Sequence, residues 1–114
     1  MISSLHRFRG YGSLRHVYTR GETVRGPLFA VKVLANPRRD AFRVAIVVSR
    51  KVHKSAVIRN RIRRRLYEDL RQLAPNFKAP HDIVVTVFHE TVATTPAKEL
   101  SRQLRSQLKK AGVL

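Results

Sequence analysis

Residues 48–73 spell a long amphipathic helix and the loop that leads into it, and the polar side of that helix is almost pure positive charge. Between Arg50 and Arg65, eight of sixteen residues are Lys or Arg and none is acidic. Ile58, Ile62, Leu66, Leu70 and Leu73 recur at spacings of four, four, four and three, which is one apolar stripe. The pattern predicts a helix from about Ala56, with Ser55 placed to cap its first free amides. At roughly 100° per residue, Asn60, Arg64, Tyr67, Glu68 and Arg71 point away from the stripe. Arg61 and Arg63 lie on its two flanks, and Arg59 falls near the apolar edge. Asp69 stands one turn after Arg65 and is expected to pair with it. A mixed Lys/Glu face would be an ordinary solvated surface. Here the charge is unmixed and mostly Arg, whose planar fork suits bidentate phosphate contacts. One side of the segment is therefore built for burial and the other for nucleic acid.

Composition points the same way. The 114 residues suffice for one domain with a modest core. Against 24 Lys and Arg there are 7 Asp and Glu, a formal net charge of +17. Self-repulsion of that size is relieved by a polyanionic partner. With 43% hydrophobic residues this is a folding sequence and not a disordered basic tail. Cysteine is absent, which removes disulfides, thiolate catalysis and Cys-based metal sites and is compatible with a reducing cytoplasm. No apolar run approaches the roughly 18 residues of a membrane span, and the N-terminus lacks a signal-peptide core. A cytoplasmic protein with no membrane contact is expected.

The chain reads as a single domain in the order α-β-β-β-α-β-α. Residues 1–12 form a basic arm, and Ser13 caps a short helix that Gly21 ends. Residues 22–25 make a short strand before a Gly26-Pro27 turn. In residues 28–34, Phe29, Val31 and Val33 share one face, while Leu28, Ala30, Lys32 and Leu34 share a less buried one. Residues 36–40 form a polar turn with Pro37 that joins antiparallel neighbours. Residues 43–49 are nearly all apolar and suggest a central strand. Pro75 stops the long helix, and residues 82–89 form another strand. Thr95 caps a last helix that opens on Pro96, carries Ala97, Leu100, Leu104, Leu108 and Ala111 on one side, and is followed by Gly112.

Nuclease chemistry borne by the protein finds little support. His6, His16, His53, His81 and His89 are not paired at metal-ligand spacing. The carboxylates are scattered, whereas two-metal cleavage needs several converging on one point. Glu68 and Asp69 diverge by about 100° on their helix. His53, beside Lys54, is either a phosphate contact or a plain loop residue. Phe29 and Phe88 read as core. Tyr18 is either a stacking platform for an unpaired base or a core aromatic with its hydroxyl at the edge.

Val48-Ser49-Arg50-Lys51-Val52, six residues, then Arg59-Asn60-Arg61-Ile62-Arg63-Arg64 resembles the signature of the bacterial ribonuclease P protein component. The similarity extends to Val17-Tyr18 with Gly21, to residues 28–34, to Arg43-Val44 and to Asp82-Ile83-Val84-Val85. The resemblance implies an α+β sandwich: a four-stranded mixed sheet packed with helices, a fold shared with some ribosomal proteins. It also implies a left-handed β-α-β crossover around the basic helix, against the usual right-handed preference.

The resemblance further implies an accessory subunit of a ribonucleoprotein that removes the 5′ leader of precursor tRNA. The catalytic RNA would carry the Mg²⁺-dependent hydrolysis, with no catalytic residue and no metal site in the protein alone. Ser49, Arg50, Lys51, Lys54, Arg59, Asn60, Arg61, Arg63 and Arg64 would face RNA. Leu14, Tyr18 and Lys32 would line the leader cleft, where the family commonly places three aromatics; only Tyr18 keeps a ring. Lys32 would exchange a stacking contact for a phosphate contact. Tyr67 stands where the motif often continues with Arg. Two other readings remain beside this one: a ribosomal-type RNA-binding protein with no part in cleavage, and a protein-only nuclease.

Overall fold

Among the described residues the chain forms one four-stranded mixed sheet and three α-helices. The computed structural model describes residues 11–37 and 41–114. Helix α1 (Tyr11–Arg20) leads into β1 (Glu22–Arg25) and β2 (Phe29–Ala35). Strand β3 (Arg43–Val47), helix α2 (Ala56–Leu73), strand β4 (His81–Val87) and helix α3 (Ala97–Lys110) follow. Strand β2 is antiparallel to both β1 and β4, and β3 runs parallel to β4. A parallel pair needs a long crossover, and α2 is that crossover. The α+β architecture and the β3-α2-β4 unit implied by the sequence are both present.

The strand order corrects two expectations. Residues 36–40 do not join neighbouring strands, because β4 lies between β2 and β3; positions 38–40 are outside the described residues. Strand β3 is an edge strand, not a central one. Its burial alternates, with Val44 and Ile46 covered and Arg43, Ala45 and Val47 half-covered. Strand β4 is an inner strand: Ile83, Val84 and Val85 are all fully buried, so both its faces are covered there. Both runs are apolar, and periodicity alone does not rank them; the crossover does.

The main core lies between one sheet face and α2 with α3. Phe29, Val31, Val33, Val44, Ile46, Ile83, Val85 and Val87 meet Ile62, Leu66, Leu70, Leu73, Leu100, Leu104 and Leu108 there. Fully burying each such side chain contributes about 1.5–3 kcal/mol. Ile58 is only partly buried at the end of the stripe, and Tyr67, expected to point outward, packs against the core. The opposite face is covered by α1 through Val17, which is fully buried. Gly21 lets α1 approach that face: a Cβ there would stand 2.6 Å from the Val17 carbonyl and 2.9 Å from that of Val33.

Several local expectations also change. Helix α1 begins at Tyr11, so Ser13 lies inside it and residues 11–12 leave the proposed arm; residues 1–10 are outside the described residues. Ser55 does occupy the N-cap position of α2, but its side chain makes no capping bond. Its amide instead donates to His53 Nδ1 at 3.0 Å. Pro75 does stop α2, which ends at Leu73, and itself sits in a following 3-10 turn, Ala74–Asn76. A second 3-10 turn, Glu90–Ala93, precedes α3, whose N-cap is Pro96. Thr95 turns its hydroxyl back to the Thr91 carbonyl, 2.6 Å away.

Helix α3 ends as its Gly112 predicted. That residue has φ 84°, and the bonds Gly112 N to Lys109 O and Val113 N to Leu108 O close a Schellman motif. Ala97 is exposed, and Gln107 joins the buried side, where its amide donates to the Val24 and Phe29 carbonyls.

Candidate nucleic-acid interface

Because β3 and β4 are parallel, the loop after β3 and the turn after β4 leave the sheet at one end. The loop holds Ser49, Arg50, Lys51 and Lys54, all exposed, closed by Val52 N to Ser49 O at 3.1 Å. His53 is not free for a phosphate on both nitrogens. Its Nδ1 accepts the Ser55 amide, and its Nε2 lies 3.7 Å from the Glu90 carboxylate.

On α2 the basic residues divide by role. Arg64 is exposed and has no partner among the described residues. Arg61 donates from Nε to the Ala93 carbonyl at 3.0 Å, which leaves both Nη groups without a partner among the described residues. Arg63 donates to Asn60 Oδ1 at 2.7 Å and to the Val48 carbonyl at 3.3 Å. Asn60 is thereby oriented by its own helix and remains exposed. Arg59 is half-buried, and its Nε finds no hydrogen-bond partner among the described residues. Tethering an Arg fork by one donor removes rotamer freedom before any ligand arrives and so lowers the entropy cost of binding.

Arg65 has a different destination from the one its spacing suggested. It donates to the Val92 carbonyl at 2.6 Å and to the Thr95 carbonyl, tying α2 to the segment before α3. Asp69 is left half-buried in a groove shared with Arg64, Glu68, Lys98 and Ser101. Burial pushes its pKa above the usual carboxylate value, and the Glu68 charge adds to that; the Arg65 charge opposes both. The folded chain therefore holds this proton more tightly than the unfolded one. Stability contributed by Asp69 is present in acid and is lost as pH rises through the raised value. Asp69→Asn is expected to raise Tm slightly at pH 7 and to give no gain below the carboxylate range. An equal gain at both pH values would mean that charge is not the cause.

The other proposed contacts lie across the sheet. Tyr18 is 40% exposed, which rules out the core-aromatic reading, and Leu14 is half-covered. Lys32 donates to the Tyr18 carbonyl at the end of α1 and stands 5.7 Å from the Tyr18 ring centroid. The ammonium thus stabilises a helix C-terminus and keeps its remaining donors. The loop with α2 and the Tyr18–Lys32 pair occupy opposite faces, which meet around the end of β3 and β4.

Two features escaped the sequence. Asp82, only 2% exposed, receives a bidentate pair from Arg43 at 2.8 and 2.6 Å and a bond from Asn36 at 3.1 Å. That hydrogen bond is the main cause holding the Arg43 pKa above its ordinary value. Phe88 is 40% exposed, not core, with the Arg25 guanidinium 4.8 Å above its ring. Each contact joins residues far apart in the chain, so no local pattern carries a signal for it.

Fold and surface together define a small basic α+β protein with exposed cations on one loop and helix and an exposed ring, Tyr18, beside the sheet. The sequence model of the ribonuclease P family matches residues 2–112. The ribonuclease P protein component of Pseudanabaena sp. is 40% identical over 115 residues, covering 100% of this chain and 97% of that one. That of Ligilactobacillus salivarius is 33% identical over 109 residues, covering 96% and 95%. The solved Staphylococcus aureus RNase P protein superposes with a TM-score of 0.83 at 27% identity, over 95% of this chain and 96% of that one. The chain belongs to the bacterial ribonuclease P protein component family. It is an accessory protein subunit of the ribonuclease P holoenzyme, and its partner is the ribonuclease P RNA.

Proposed function

We propose that this protein binds the catalytic RNA through residues 49–54 and α2 and holds the 5′ leader of precursor tRNA on the sheet face beside α1. The observation that carries the reading is the set of exposed cations without partners among the described residues, Arg50, Lys51 and Lys54 in the loop after β3 and Arg64 on α2. Ser49, Asn60, Arg61 and Arg63 complete the RNA-facing set, with Arg59 at its buried margin. Leu14, Tyr18 and Lys32 form the leader side.

The protein's contribution is electrostatic and positional. Cations near the cleavage site screen repulsion between catalytic RNA and substrate, releasing counter-ions from both. Mg²⁺ supplies the hydrolytic chemistry on RNA and substrate in this reading. Among the described residues no three His, Cys, Asp or Glu side chains converge to hold an ion. Asp82, Glu68 and Glu99 are each engaged by an arginine. Among the described residues no helix is long and apolar enough to cross a membrane. The reading places the protein in the cytoplasm with tRNA precursors.

The test is cleavage of a precursor tRNA at low Mg²⁺ by a bacterial ribonuclease P RNA, with and without this protein, and by protein alone. Product at the mature 5′ end should rise only when both are present. RNA binding without stimulation would support a structural RNA-binding role instead. Cleavage by RNA-free protein would reject the accessory reading. Lys32→Ala is expected to weaken a leader-bearing precursor more than mature tRNA, and equal losses would remove Lys32 from the leader side.

A further inference from the structure

Among the described residues only Tyr18, Val57 and Phe88 are large apolar side chains left exposed. The two rings among them each carry a cation: Lys32 over Tyr18 at 5.7 Å and Arg25 over Phe88 at 4.8 Å. They also share a sheet face. Thr23, Lys32 and Val84 lie in one register row, and Arg25, Ala30 and Thr86 in the next but one. Phe88 continues that side of β4, with its amide bonded to the Leu28 carbonyl at 2.8 Å. At about 3.3 Å per residue, Phe88 lies roughly 13 Å along β4 from the Lys32 row.

The surface between the two rings suits one kind of occupant. Ala30, Thr86 and Val47 lie between or beside them, and none bears a charge. Val47 pairs with Thr86, so residues 49–51 leave the sheet at the Phe88 end. His53 reaching Glu90 marks the same junction. The Arg25–Phe88 pair therefore stands between Tyr18 and the basic loop. A ring offers its π-face only to an unstacked base, and the cation beside it offers charge to the adjoining phosphate.

We propose that Arg25 and Phe88 form a second nucleobase-stacking platform that takes an unpaired leader base between the Tyr18 position and residues 49–54. The inference rests on the reading that the leader crosses this face. It adds a site of its own, with Phe88 supplying the stack and Arg25 fixing the ring and facing the phosphate.

The test uses holoenzyme assembled from this protein and a bacterial ribonuclease P RNA. Its precursor tRNAs carry 2-aminopurine at successive leader positions. Stacking should quench the fluorescent base at one position beyond the Tyr18 register. Phe88→Ala should restore emission there and weaken the leader-bearing precursor about tenfold, with mature tRNA affected less than about twofold. Phe88→Leu, which keeps bulk without a ring, should show the same loss, and Phe88→Tyr should retain both quenching and affinity. Arg25→Gln should give a smaller loss that fades at high salt. Tm should hold in all four variants, because the ring lies outside the core. Unchanged emission at every position, or equal weakening of precursor and mature tRNA, overturns the platform and leaves the subunit reading standing. A wild-type holoenzyme without preference for precursor over mature tRNA overturns both.

Discussion

Asp82→Ala is expected to lower folding stability by about 3–5 kcal/mol, the cost of stranding one partner of a buried ion pair. For a domain of this size that corresponds to a fall in Tm of at least about 10 °C. Asp82 is 2% exposed, and the Arg43 side chain is 12% exposed. The two are register partners at the start of the parallel pair, Arg43 on β3 and Asp82 on β4. Asn36, following β2, reaches the same carboxylate. One side chain thus ties three successive strands of the sheet, and its loss removes the bidentate carboxylate from a guanidinium that water barely reaches. The double change Arg43→Met with Asp82→Leu should recover most of the stability, because it removes both charges together. Thermal melts of the three proteins decide the matter. A loss below about 1 kcal/mol for Asp82→Ala would show that water reaches the pair and that packing alone holds the strand order.

The second large effect concerns binding. Replacing Arg50, Lys51, Lys54 and Arg64 together by Ala should weaken the ribonuclease P RNA complex by roughly 10²- to 10³-fold at physiological salt. Counter-ion release sets the size of the effect: each phosphate contact contributes about 0.7–0.9 to the slope of log K against log salt, so four contacts remove roughly three units. Arg61, Arg63 and Arg65 each spend a donor on the protein itself, so their replacement would confound binding with folding. The chosen four have no such duty, and Tm should hold or rise slightly as self-repulsion falls. Binding isotherms at several salt concentrations give the slope directly. If the slope is unchanged, these cations are solvent-facing and the RNA lies elsewhere. Arg64→Ala alone should lower the slope by about one unit.

Local patterns were legible wherever one element decides the outcome. The limits of α2, the inward face of β2, the Leu100–Leu104–Leu108 stripe and the Gly112 terminus all follow from periodicity and backbone chemistry. The motif residues from Ser49 to Arg64 were also visible, because unmixed charge over sixteen residues is a local property. What was not visible depends on partners far along the chain. The apolar runs of β3 and β4 look alike, yet one is an edge strand and the other an inner one. Arg65 has a carboxylate one turn away and instead bonds to carbonyls about thirty residues on. Phe88 follows an apolar strand and yet emerges on the open side, since β4 alternates faces and α1 covers only part of one.

The sequence by itself determined the α+β class, the basic helix and its family, because each is written in spacing and composition over a few turns. The tertiary structure alone decided which cations stay exposed without a partner among the described residues. A guanidinium's availability depends on which carbonyl or carboxylate the fold carries to it, and the crossover through α2 sets those neighbours. The same crossover puts the basic loop beside Phe88 at one end of the sheet, a proximity between residues nearly forty apart that no local pattern encodes.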